Sequence, residues 1–169
     1  NRENFTGNGG PVYNIPKGGA QTFDDEDFND YYEQIIHSGW SLSHIRFDGL
    51  PASSQGTLWY NYRSTGNPGT RVEAGASYYH GTRNPRLDRV TFVPESEFTG
   101  TVRIPFTGWD VDGNYFSGNV EINVRAGGGT GDIRYTCVPG RSRDFVLSDF
   151  TRLCDDLTGR SLDYIIFED

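Results

Sequence analysis

Apolar residues recur along this chain in two rhythms, and the change from one to the other marks out its elements. Phe28, Tyr31, Tyr32, Ile35 and Ile36 fall on one face at helical spacing, which predicts a short amphipathic helix. Asp24-Asp25-Glu26-Asp27 stand at its start, where carboxylates accept free backbone N–H groups and oppose the helix dipole. Ser38-Gly39 supplies a stop. Ahead of the helix, Val12, Tyr13 and Ile15 predict a short strand that Pro16 and Gly18-Gly19 break. Beyond it the apolar positions alternate, as half-buried strands require. The alternating sets are Ile45 and Phe47; Leu58, Tyr60 and Tyr62; Val90, Phe92 and Pro94; Val102, Ile104 and Phe106; and Val120, Ile122 and Val124. Asp112-Gly113 predicts a hairpin between the last two sets. Residues 64–88, rich in Gly, Asn and Pro with Tyr78-Tyr79 in their middle, read as a long loop. Short strands separated by turns predict a mainly β fold, an antiparallel β-sandwich with one short helix inserted near its start.

The chain also begins to repeat itself. Tyr13, Gly18, Phe23 and Asp27-Phe28 match Tyr135, Gly140, Phe145 and Asp149-Phe150 at a constant offset of 122. Ser41-Leu-Ser-His-Ile-Arg-Phe47 then matches Ser161-Leu-Asp-Tyr-Ile-Ile-Phe167 at an offset of 120. This spacing indicates tandem domains and not a short-period solenoid. The predicted organisation is a linker over 1–10, a complete sandwich over 11–126, a Gly-rich linker over 127–131, and the strand-helix-strand opening of a second repeat over 132–169. One unit of this length can bury a core; the remaining residues cannot build a second. With no Met in the sequence, the expectation is a piece of a longer polypeptide.

A net charge of −8 argues against a nucleic-acid partner, since phosphate binding needs a basic stripe. No apolar run reaches the length of a membrane span, so no membrane insertion is expected. Lys17 is the only lysine and hence the only residue that could form a Lys–Asn isopeptide cross-link. Asn4-Phe5-Thr6 is a glycosylation sequon, of consequence only in a source that glycosylates.

Several stretches carry a resemblance. Pro51-Ala-Ser-Ser-Gln-Gly56-Thr57, Val90-Thr-Phe92-Val-Pro94, Phe98-Thr-Gly100-Thr101, and Asp110-Val-Asp112-Gly113 before Val120-Glu-Ile122-Asn-Val124 resemble the cadherin-like, Ig-like tandem repeats of bacterial surface proteins. With Asp27-Phe28, Ser41 to Phe47, Gly56 to Tyr62 and Tyr78-Tyr79, the chain looks like repeats that accompany S-layer homology domains in Gram-positive anaerobes. It departs from the pattern by one extra residue in the first turn and a shorter Asp-Gly hairpin. The resemblance implies a Greek-key sandwich and a structural surface module, extracellular or associated with the cell wall.

Cys137 and Cys154 form the clearest chemical pair. At the 122 offset they replace Ile15 and Tyr32, apolar residues where strand and helix can meet. A strand-to-helix disulfide would contribute roughly 3 kcal/mol and imply an oxidising setting; the alternative is two buried thiols. Asp110, Asp112 and Asn114 alternate like the oxygen ligands of a calcium loop, and Glu121 stands at the twelfth position. The flanking residues alternate as strands, however, so a hairpin turn is the preferred reading, and calcium is the one cofactor the pattern admits. The acidic run from Asp24 reads as a helix cap in preference to a metal site. His37, His44 and His80 lie far apart with no nucleophile elbow between them, so the chain is not read as an enzyme. A pair of acids could still meet in space, as a glycosidase requires, but none stands out.

Trp59 and Trp109 are out of phase with the inward residues of their strands, which aims both indoles outward. Exposed Trp can stack on a sugar ring or a partner; the alternative is that the 64–88 loop or the helix covers them. Two functions follow. The first is a structural or adhesive repeat of a secreted or wall-associated surface protein, serving spacing, display or adhesion. Its partners would be adjacent repeats, a host or wall glycan, or another surface protein. The second is a carbohydrate-binding module using Trp59 or Trp109.

Overall fold

A computed structural model describes residues 4–6, 9–37, 39–126, 144–158 and 161–166. The strands are β1 (Asn4–Thr6), β2 (Val12–Pro16), β3 (Gln21–Thr22), β4 (Leu42–Phe47), β5 (Gly56–Tyr60), β6 (Thr70–Arg71), β7 (Ser77–Tyr79), β8 (Val90–Pro94), β9 (Gly100–Asp110) and β10 (Tyr115–Arg125). The helices are α1 (Asp25–Ile36) and α2 (Leu147–Thr158). The strands build two sheets. The larger runs β1-β10-β9-β4-β7, with β2 following β1 along the same side of β10; the smaller runs β3-β8-β5-β6.

The long β9–β10 hairpin forms the spine. Its inward residues Val102, Ile104, Phe106, Phe116, Val120, Ile122 and Val124 are buried, while the intervening residues face out. The chain then weaves between layers. β4 pairs with β7 in the larger sheet and β5 pairs with β8 in the smaller, so the β4–β5 and β7–β8 connections both cross the core.

Helix α1 forms where the pattern places it. Asp24 caps it, accepting from the Glu26 N–H at 3.0 Å, and His37 ends it in the left-handed region at φ 47°. Its aromatic face lies on the inner side of β9 and β10. Phe28 meets Phe106 edge-on at 5.2 Å, and Tyr31 and Tyr32 approach Phe116 at 6.0 and 5.5 Å. Gly118 and Gly108 make room for this packing. A Cβ on Gly118 would come within 2.7 Å of both the Tyr31 ring and the Gly9 carbonyl, and one on Gly108 within 2.3 Å of the Phe116 ring. Phe23, following β3, bridges α1 and β4 through Phe28 and Phe47. The smaller sheet closes the other half of the core with Leu58, Val90 and Phe92.

Four expectations change. The β fold is not wholly antiparallel, because β1 and β2 both run parallel to β10. β1 lies inside the segment read as a linker over 1–10, and its ladder along Tyr115–Ser117 supplies the partner a strand needs. The stretch read as one long loop contains β6 and β7, which each pair on a sheet edge, and a 3-10 turn at Leu87–Arg89. Residues 161–166, predicted as a strand of the second unit, have no strand partner among the described residues and run as irregular chain, with Tyr164 and Ile166 exposed. The Gly-rich linker over 127–131 lies outside the described residues.

Candidate functional site

The hairpin turn after β9 is organised by one carboxylate. Asp110 is buried, and its Oδ1 accepts from the backbone N–H groups of Asp112 and Asn114 at 2.9 and 2.8 Å. Its Oδ2 accepts from the Asn114 amide and the Tyr32 hydroxyl, both at 2.9 Å. Burial alone pushes the Asp110 carboxyl up. The donors of Asn114, Tyr32 and Asp112 outweigh it and hold the carboxyl below its ordinary value. Of the residues spaced like calcium ligands, Asp110 thus points inward and serves the turn and α1, while Asp112 is exposed.

Trp109 and Trp59 lie on the outward faces of different sheets and do not share a patch. Trp109 stands opposite His44, and His44 opposite Tyr79, so the three rings form a row across β9, β4 and β7. The Trp109 and His44 rings stack at 4.9 Å with planes 10° apart. The Arg46 guanidinium lies 5.1 Å from the Trp109 ring centre, and that of Arg83 lies 4.0 Å from Tyr79. Burial, followed by the charges of Arg83 and Arg46, lowers the His44 pKa, so its ring stays neutral near physiological pH. Trp59 on β5 is half-buried, with Arg71 over its ring at 5.5 Å. Both indoles are flanked by cations and stand half-buried, between the bare platform and the covered core that the sequence left open. Trp40, which the alternating pattern did not single out, is 53 % exposed.

A third cluster joins residues the sequence kept apart. His80, just after β7, directs Nε2 at the first turn of α1. It lies 3.0 Å from Glu26 Oε1 and 3.7 Å from Asp25 Oδ2. The Gly81 N–H donates to the same Asp25 oxygen at 2.8 Å, and the His80 N–H donates to the Ser43 carbonyl. The acidic residues in the first turn of α1, next to the Asp24 cap, therefore also hold the loop that follows β7. Periodicity showed only the first of these roles, because the second depends on a contact between residues 54 positions apart.

Elsewhere, a shallow depression lined by Ser53, Ser54, Glu95, Glu97 and Phe98 brings two acids to the surface, with Glu97 engaged by Lys17 at 2.6 Å. Cys154 lies on α2, half-buried; Cys137 lies outside the described residues. None of the described helices is long and apolar enough to cross a membrane. No protein-family model matches the chain, and no curated protein matches it.

Proposed function

We propose that residues 12–125 are a load-bearing, non-enzymatic repeat of a large secreted or wall-associated surface protein, serving spacing, display or adhesion. One observation carries this reading: the unit's entry and exit strands lie side by side and parallel. Val12–Pro16 runs along Glu121–Arg125, the Lys17 N–H donates to the Arg125 carbonyl, and the Asn123 amide donates to Asn14. β1 extends the arrangement along Tyr115–Ser117. Tension on the two ends slides such strands along each other. The ladder bonds lie across the pull and must yield together. In an antiparallel hairpin pulled at its open end, they would yield one by one. A domain strung between neighbours gains from the first geometry.

The interlocked β4–β7 and β5–β8 pairs support the Greek-key, cadherin-like or Ig-like type that the sequence resembles. The limits of α2 are those of α1 displaced by 122 positions, which supports a second copy following the first. On this reading the partners are neighbouring repeats and the setting is extracellular. The carbohydrate-binding reading rests on the Trp109 row. It ranks second because His44 and Arg46 already lie against that indole.

Single-molecule pulling tests the proposal. A unit held at residues 11 and 126 is expected to rupture at a clearly higher force than one held at 100 and 126, where the β9–β10 ladder opens from its end. Equal forces would remove the mechanical basis of the proposal.

A further inference from the structure

We propose that Asp25, Glu26 and His80 form a binding site for a divalent first-row transition-metal ion of the zinc type. One candidate ligand atom from each of Asp25, Glu26 and His80 lies within 4.8 Å of the other two. Zinc binds carboxylate oxygen and imidazole nitrogen at about 2.0–2.2 Å, so neighbouring ligands of one ion stand roughly 3–3.6 Å apart. The 3.0 and 3.7 Å separations from His80 Nε2 are near that range before any ion draws the side chains in.

The donor set selects the ion. An imidazole nitrogen among the ligands favours borderline metals over calcium or magnesium, which take oxygen. Two carboxylates and a neutral imidazole carry the charge that balances a divalent cation. Asp24 and Asp27 flank the site and add to the negative field. The Arg86 guanidinium lies near enough to act on Asp25, but both of its inner donors are held by the Asp88 carboxylate.

The surroundings are those of a site with two fixed ligands and one open side. The side chains of Asp25 and His80 are 14 % and 17 % exposed, and that of Glu26 is 64 % exposed. The Asp25 carboxylate accepts from the Gly81 N–H, the kind of outer support that metal ligands use, and the His80 main chain is anchored by its bond to the Ser43 carbonyl. The exposed side leaves room for water to complete four-coordination. The ligands come from α1 and from the loop after β7, so an ion would tie the edge strand of the larger sheet to the helix. The function is a metal-dependent fastening of the sandwich edge.

The test uses the whole 169-residue chain under reducing conditions. Cobalt(II), a spectroscopic stand-in for zinc, should give one equivalent of a visible band from nitrogen and oxygen ligation, and zinc should raise the melting temperature by about 4 °C or more at saturation. E26Q changes an exposed side chain and should weaken binding at least about tenfold, the least that loss of even an outer-shell partner of a metal ligand costs. H80Q should do the same, while H37N should leave the band intact. An absent band, a band that survives both E26Q and H80Q, a band lost in H37N, or a thiolate charge-transfer absorption placing the ion on cysteine would each overturn the proposal. Pulling results bear on the load-bearing reading alone and leave this one untouched.

Discussion

Replacing Asp110 with Asn should weaken the unit through groups far apart in sequence. The carboxylate accepts four hydrogen bonds, from the Asp112 and Asn114 backbone and from the Asn114 and Tyr32 side chains. The amide keeps one acceptor oxygen, loses the charge, and turns an N–H₂ group toward donors. A hydrogen bond to a charged group contributes about 1.5–3 kcal/mol, and an orphaned buried donor costs about 1–3 kcal/mol. Tyr32 is fully buried, so its hydroxyl has no water to turn to. D110N should therefore cost about 2–3 kcal/mol and D110A about 3–5 kcal/mol in urea-denaturation stability at neutral pH. Y32F should cost about 1 kcal/mol alone and less in the D110N background, a coupling of about 1 kcal/mol. The pH dependence has a fixed sign. A carboxyl held below its ordinary value in the folded state contributes stability above the ordinary carboxylate pKa and loses it as the pH falls through the depressed value. The acid limb of the stability curve should flatten in D110N. A loss under about 0.5 kcal/mol, or additive costs for D110N and Y32F, would refute the assignment of this carboxylate as the link between hairpin and helix.

Three further outcomes follow from the same geometry. G118A should destabilise by about 1–3 kcal/mol, because the new methyl meets the Tyr31 ring and the Gly9 carbonyl; a neutral effect in thermal melts would mean that α1 is loosely seated. W109A should cost about 1–2 kcal/mol by removing the His44 stack and leave glycan-array binding unchanged, whereas loss of a specific glycan signal would promote the carbohydrate reading. Non-reducing peptide mapping should recover Cys137 joined to Cys154, and two alkylatable thiols would reject the bridge and the oxidising setting it implies.

Much of the β-rich fold could be read from residue order. β9 and β10 were legible because Val102, Ile104 and Phe106 alternate over a long run, as do Val120, Ile122 and Val124, and an Asp-Gly turn joins them. α1 was legible because its acidic start and aromatic face agree. β6 and β7 were not, since two or three residues are too few to show a period and their formation depends on β5 and β4. The parallel pairing of β2 with β10 was equally hidden. It joins residues more than a hundred positions apart, and local pattern specifies a strand without specifying its neighbour. The same limit concealed the meeting of His80 with Asp25 and Glu26, and the row of Trp109, His44 and Tyr79. The sequence displays Asp110 only through its spacing to Asp112 and Asn114. Its inward turn toward Tyr32 depends on where α1 packs.

The most direct test of the load-bearing account is to move one handle past a single strand. With the far handle fixed at residue 126, attachment at residue 11 loads the β2–β10 ladder lengthwise, whereas attachment at residue 17 bypasses it, because Lys17 already sits beside Arg125. The account predicts a marked drop in rupture force on moving from 11 to 17. An unchanged force would show that resistance lies elsewhere in the fold and contradict the central claim.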